Sequence, residues 1–142
     1  MKKSQKITKK VMVFGVFDRL HPGHVSFLEQ AAALGEELIV VLARDASVRE
    51  LKHKTPYHNE YERIQTVRKI AGVDHVVLGD EKLGSYAVIQ EHKPNVICLG
   101  YDQHGLARDL KKWMQEGQLT SILLITLIAH KPEVFHTSLL TY

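Results

Sequence analysis

Val13-Phe14-Gly15-Val16-Phe17-Asp18-Arg19-Leu20-His21-Pro22-Gly23-His24 carries an apolar strand pattern into glycine, then an aspartate, then two histidines three positions apart. An amphipathic helix pattern follows at once, from Gly23 to Leu34, with Val25, Leu28, Ala31 and Ala32 on one face and Gly35 as its stop. Two imidazoles, a glycine and the mouth of a helix therefore meet where the first strand ends. Unpaired amides at a helix N-terminus favour anions, and glycine lets a ligand approach the backbone. The segment reads as a phosphate site. Two alternatives stand beside that reading. A zinc pair would need further ligands, of which Asp18 is the one obvious local candidate, and the histidines could also serve as caps or packing groups.

Working outward, strand and helix patterns alternate along the chain. Lys10–Phe17, Glu37–Ala43, Asp74–Leu78, Asn95–Leu99 and Ser121–Ile128 read as strands. Between them lie a short helical turn over Asp45–Leu51 capped by Asp45, a helix from Asn59 to about Ala71, and helices around Tyr86–His92 and Leu106–Glu116. Asn59 with Glu62 three residues later forms a variant capping box. Such alternation predicts an α/β fold: a Rossmann-like, doubly wound parallel sheet of about five strands in three α/β/α layers. Ligands of such sheets bind beyond the carboxyl ends of the strands. The segment from Gly15 to His24 leaves the first strand at that end.

The 142 residues suit one domain, residues 10–142, preceded by a basic tail at 1–9. Apolar residues make up 44% and charged residues 25%, ordinary values for a globular chain, and no apolar run approaches a bilayer span. The formal charge of +3 misleads, because Lys2, Lys3, Lys6, Lys9 and Lys10 crowd the first ten residues. The remaining fourteen basic residues face sixteen acidic ones, so the body is slightly acidic and argues against a nucleic-acid partner. The lone Cys98 forms no internal disulfide and sits in a strand pattern as a buried thiol. With no signal-peptide pattern, these features suggest a cytoplasmic protein with neither membrane nor nucleic-acid partner.

Gly15-Val16-Phe17-Asp18-Arg19-Leu20-His21-Pro22-Gly23-His24 resembles the G-T-F-D-x-L-H-x-G-H signature of cytidylyltransferase-like nucleotidyltransferases, over essentially the whole chain after the basic tail. The resemblance implies transfer of a nucleotidyl group from CTP or ATP to a phosphorylated acceptor, with release of pyrophosphate. It also implies Mg²⁺ or another divalent ion, a homodimer, and His21, His24 and Lys54 as catalytic groups. Gly15, Phe17, Asp18, Gly23, Asp102, Thr137 and Ser138 would bind the nucleotide. Lys52, Arg63 and Lys131 would meet phosphate or acceptor. No metal ligand is assigned directly, although Asp18 is a candidate. Lys131 stands where cytidylyltransferases carry arginine, and lysine keeps the charge without the bidentate fork. Lys52, Lys54, Tyr57 and Arg63 favour glycerol-3-phosphate as acceptor. Ala43-Arg44-Asp45 and Gly100-Tyr101-Asp102-Gln103 look closer to the archaeal-type FAD synthetases and favour FMN, the reading preferred here. A nucleotide-binding sensor without turnover is the third alternative.

Overall fold

A computed structural model describes residues 9–128. Lys131, Thr137, Ser138 and all of the basic tail except Lys9 lie outside the described residues. The elements, in chain order, are β1 (Lys10–Gly15), α1 (Pro22–Ala32), β2 (Glu37–Leu42), α2 (Asp45–Lys52), α3 (Glu60–Arg68), β3 (His75–Leu78), α4 (Ala87–His92), β4 (Val96–Leu99), α5 (His104–Gln115) and β5 (Leu123–Thr126). All strand pairings are parallel, in the order β3-β2-β1-β4-β5. The chain thus winds outward from β1 through β2 to β3, then crosses to β4 on the other side of β1. That reversal places a switch point between β1 and β4, where parallel sheets open a ligand crevice.

Alternation along the strands divides the core. Val11, Val13, Leu38, Val40, Leu42 and Cys98 face one side, packed with Leu28 and Ala31 of α1 and Val67 of α3. Met12, Ile39, Val41, Ile97 and Leu99 face the other, packed with Val88 and Ile89 of α4 and Leu110 of α5. Both sheet faces are therefore covered, and the central strands read as continuous apolar runs. Burial raises the Cys98 thiol to about 11, which keeps it protonated and inert.

Local chemistry explains the boundaries and corrects three details. Helix α1 starts one residue earlier than the pattern suggests, because Pro22 occupies its first turn and His21 becomes the N-cap. Its buried stripe is His24, Leu28 and Ala31, with Val25 only half-buried. Gly35 does not cap α1, which closes at Ala33. It is glycine because a Cβ there would stand 2.7 Å from the Lys9 carbonyl oxygen. Asp45 is likewise inside α2 rather than its cap, a position held by Arg44 without a side-chain bond. The capping box of α3 forms as read, with Asn59 accepting from the Glu62 amide at 2.8 Å and Glu62 accepting from the Asn59 amide at 2.9 Å.

Candidate active site

The carboxyl ends of the strands open into a cleft of about 1620 Å³. Its walls come from the turn after β1, the segment from α2 to Tyr57, the turn after β3 and the turn after β4. The cleft gathers Gly15, Phe17, Asp18, His21, Gly23, His24, Lys52, Lys54 and Asp102, nine of the residues singled out from sequence.

The turn after β1 is built around the two histidines. His21 Nδ1 accepts from the Gly23 amide at 3.1 Å, and His24 Nδ1 accepts from the His21 amide at 3.2 Å. The two rings stack with centroids 3.9 Å apart. Because each Nδ1 is an acceptor, the hydrogen-bond pattern assigns the proton of each neutral ring to Nε2. Burial lowers the pKa of both. For His24 it falls to about 4, with neighbouring His21 lowering it further and Asp18 working in the opposite direction. At neutral pH the pair therefore consists of neutral hydrogen-bond donors.

Phe17 supports this pair from below. Its backbone lies in the left-handed region at φ 52°, and its buried ring meets the His24 ring edge-on at 5.7 Å. The same ring folds back over Gly15, where a Cβ would stand 2.6 Å from Phe17 Cε2. Glycine at 15 is thus dictated by an aromatic contact two residues on. Gly15 also ties two strand ends together, its carbonyl accepting from the Ala43 amide at 2.9 Å.

Asp18 holds the lysine-bearing segment. Its carboxylate accepts from the Tyr57 amide at 2.6 Å and the His58 amide at 3.0 Å. Burial works to raise its pKa, but the two amides, Arg63 and the His58 side chain together bring it below the usual value. Both oxygens are engaged by the backbone, which fits a loop clamp better than a metal ligand. Among the described residues no group of three or more His, Cys, Asp or Glu is arranged to hold a metal ion.

Lys52 and Lys54 line the cleft on the other side of this clamp. Burial lowers the Lys52 pKa, Lys54 adds to the effect by repulsion, and Asp102 opposes it. Lys52 thus feels both its neighbour Lys54 and the carboxylate from the β4 turn. Gln103 fixes that turn: its Oε1 accepts from the Gly100 amide at 2.8 Å, and its Nε2 donates to the Phe14 carbonyl at 3.0 Å. Gln103 was visible in sequence only as part of a motif. Its bridge to β1 spans 89 residues, and no local pattern announces it.

Arg63 overturns the expectation that it binds the acceptor's phosphate. It is 1% exposed and does not line the cleft. Its Nε donates to the His58 carbonyl at 3.1 Å, one terminal nitrogen to the Val16 carbonyl at 2.9 Å, and the other to Asp45 Oδ1 at 2.7 Å. The guanidinium is spent on the protein, joining three cleft-forming segments from behind. Asp45, which pairs with it, also accepts from the Glu60 amide at 3.1 Å. Arg44, read in the sequence only as part of Ala43-Arg44-Asp45, is also a residue of the cleft wall. Its Nε donates to the Gly79 carbonyl at 2.7 Å and so couples the β2 and β3 ends.

The histidine pair and the lysines thus meet at the switch point of a parallel sheet, and the family comparison supplies the class. The cytidylyltransferase-like family model matches residues 12–139, so the chain belongs to that family and is a nucleotidyltransferase. Among its curated relatives, the FAD synthase of Thermococcus sibiricus is 36% identical over 138 residues, covering 97% of this chain and 92% of the relative. The FAD synthase of Archaeoglobus profundus is 42% identical over 113 residues, covering 79% and 70%. Among solved structures, a lipopolysaccharide core biosynthesis protein from Thermoplasma volcanium superposes with a TM-score of 0.79 at 32% identity, covering 87% of this chain and 99% of that one. Pantoate-beta-alanine ligase from Francisella tularensis shares the fold, with a TM-score of 0.59 at 16% identity, covering 87% and 61%.

Proposed function

We propose that this protein is an FMN adenylyltransferase, joining the AMP moiety of ATP to FMN to form FAD and pyrophosphate. The observation that carries the reading is the neutral, Nε2-protonated histidine pair at the mouth of α1, within a cleft that also holds Lys52 and Lys54. Similarity to proteins named FAD synthase favours FMN over glycerol-3-phosphate as the acceptor in this reading.

In this reading a phosphate oxygen of FMN attacks the α-phosphorus of ATP. A new P–O–P bond forms as the bond to the leaving pyrophosphate breaks. The attacking phosphate is already ionised near neutral pH, so no strong general base is needed. Catalysis comes from positioning and charge stabilisation. His21 and His24 donate from Nε2 to oxygens on the α-phosphate and the departing pyrophosphate, while the first amides of α1 stay bonded to His21. Lys54 follows the charge that develops at the reacting phosphates, while Lys52 meets the acceptor's phosphate. Asp102 faces the ribose and base of the nucleotide from the β4 turn. Thr137, Ser138 and Lys131 keep the phosphate-binding roles that the family resemblance implies. Mg²⁺ enters with ATP as part of the substrate, held by triphosphate oxygens and water rather than by a protein cage. A homodimer in the cytoplasm, expected from the resemblance and from ATP as donor, completes the proposal. Among the described residues no helix is long and apolar enough to cross a membrane.

Pyrophosphate release, measured with ATP or CTP against FMN and glycerol-3-phosphate, tests the reading. Release is expected with ATP and FMN together. Release with CTP and glycerol-3-phosphate instead would favour the cytidylyltransferase alternative, and binding without release would favour the sensor.

A further inference from the structure

Tyr57 is an exposed aromatic ring that the protein holds firmly in place. It is 71% exposed, yet its backbone amide is fixed on Asp18 at 2.6 Å and it follows the buried Pro56. The Arg19 guanidinium lies 4.7 Å from the ring centroid, a cation–π contact that covers one face. His58 meets the ring edge-on at 4.8 Å. Arg19 reaches this position from a left-handed backbone at φ 53°, a conformation that costs a non-glycine residue free energy and tends to occur at functional sites. Leu51, 63% exposed, lines the same cleft as Tyr57. Scattered exposed apolar side chains are ordinary on a protein surface. An anchored ring with one face already covered, on the wall of a ligand cleft, is a stacking platform.

We infer that Tyr57, with Leu51 beside the same opening, receives the planar ring of the acceptor, an isoalloxazine in the FMN reading on which this inference rests. Sheet order decides between the two ring systems that the reaction brings in. The histidine pair stands at the end of β1, with β4 on one side of that strand and β2 on the other. In the proposed reading the turn after β4, with Asp102, takes the donor's nucleoside. Leu51 and Tyr57 belong to the crossover that follows β2, so they serve the acceptor. Lys54, assigned to the phosphates, stands three residues from Tyr57 on the same segment. Tyr57, which in the sequence favours glycerol-3-phosphate, presents in the structure a ring face that a flavin would use and glycerol-3-phosphate would not.

Steady-state kinetics with the full-length chain, varying ATP and FMN separately, test the assignment alongside thermal melts. Tyr57→Ala is expected to raise KM for FMN roughly tenfold, the usual effect of removing a stacking ring. KM for ATP and the melting temperature should stay close to wild type, and Tyr57→Phe should restore FMN affinity. Wild-type enzyme that forms FAD while Tyr57→Ala keeps the same KM for FMN overturns the platform alone. A rise confined to KM for ATP assigns the ring to adenine and also overturns it. Wild-type enzyme that neither binds FMN nor forms FAD overturns the proposed function, and the platform with it.

Discussion

At the scale of single residues, the site depends on imidazoles kept neutral. His24 is buried, stacked on His21 and bonded through Nδ1 to a backbone amide, and each of these features disfavours a second proton. NMR titration should therefore find the midpoint of His24 near pH 4, with the ring neutral well above it. The linkage has a definite sign. A histidine whose folded pKa lies below its unfolded value contributes stability that is fully present above about pH 6.5. That contribution is lost as the pH falls towards 4, on the order of 2–3 kcal/mol in denaturant melts across that window. His24→Ala should lower kcat by roughly a hundredfold or more, the usual effect of removing a donor aimed at developing charge. The lost ring also leaves a cavity against Phe17 and His21, so about 2–4 kcal/mol of stability should go with it in denaturant melts. Gly15→Ala makes the opposite kind of test. The added methyl meets the Phe17 ring at 2.6 Å, so overpacking of about 1–3 kcal/mol should appear in melts, with activity falling as the ring beneath His24 shifts.

At the scale of elements, the cleft is held open by ties between segments far apart in sequence. Asp18 fixes the Tyr57–His58 backbone, and Arg63 gathers Val16, His58 and Asp45 behind it. Removing one partner of a buried ion pair strands the other charge, so Arg63→Gln should cost about 3–5 kcal/mol in denaturant melts. Arg63→Lys should recover little of that, because lysine cannot make three divergent bonds in one plane. These ties mark the limit of what the sequence made legible. Helices and the α3 capping box were readable because each rests on contacts within a few residues, and the strands because their apolar runs show locally even though their partners lie far away. Arg63 was misread because a guanidinium in a basic, polar stretch looks the same in sequence whether it points at a phosphate or at a carbonyl 47 residues away. Asp45 was misplaced for the same reason, since its partners lie in a helix 15 to 18 residues on.

At the scale of the whole molecule, strand order converts a local motif into a site. Winding from β1 to β3 and back to β4 puts the His21–His24 turn at the switch point, with Lys52 and Lys54 from the β2 side and Asp102 from the β4 side. The parallel sheet and its reversal were implied by the regular alternation of patterns, and the motif identified the reaction class. The acceptor was less legible, because the residues that would recognise it lie on loops whose facing surfaces depend on long-range ties. In the proposed reaction this cleft transfers the adenylyl group of ATP onto the phosphate of FMN. Incubating the protein with FMN, Mg²⁺ and ATP radiolabelled at the α-phosphate, and separating the flavins, tests it most directly. The account predicts label in FAD with an equal amount of unlabelled pyrophosphate. Unlabelled flavin in the presence of bound ATP and FMN would contradict it.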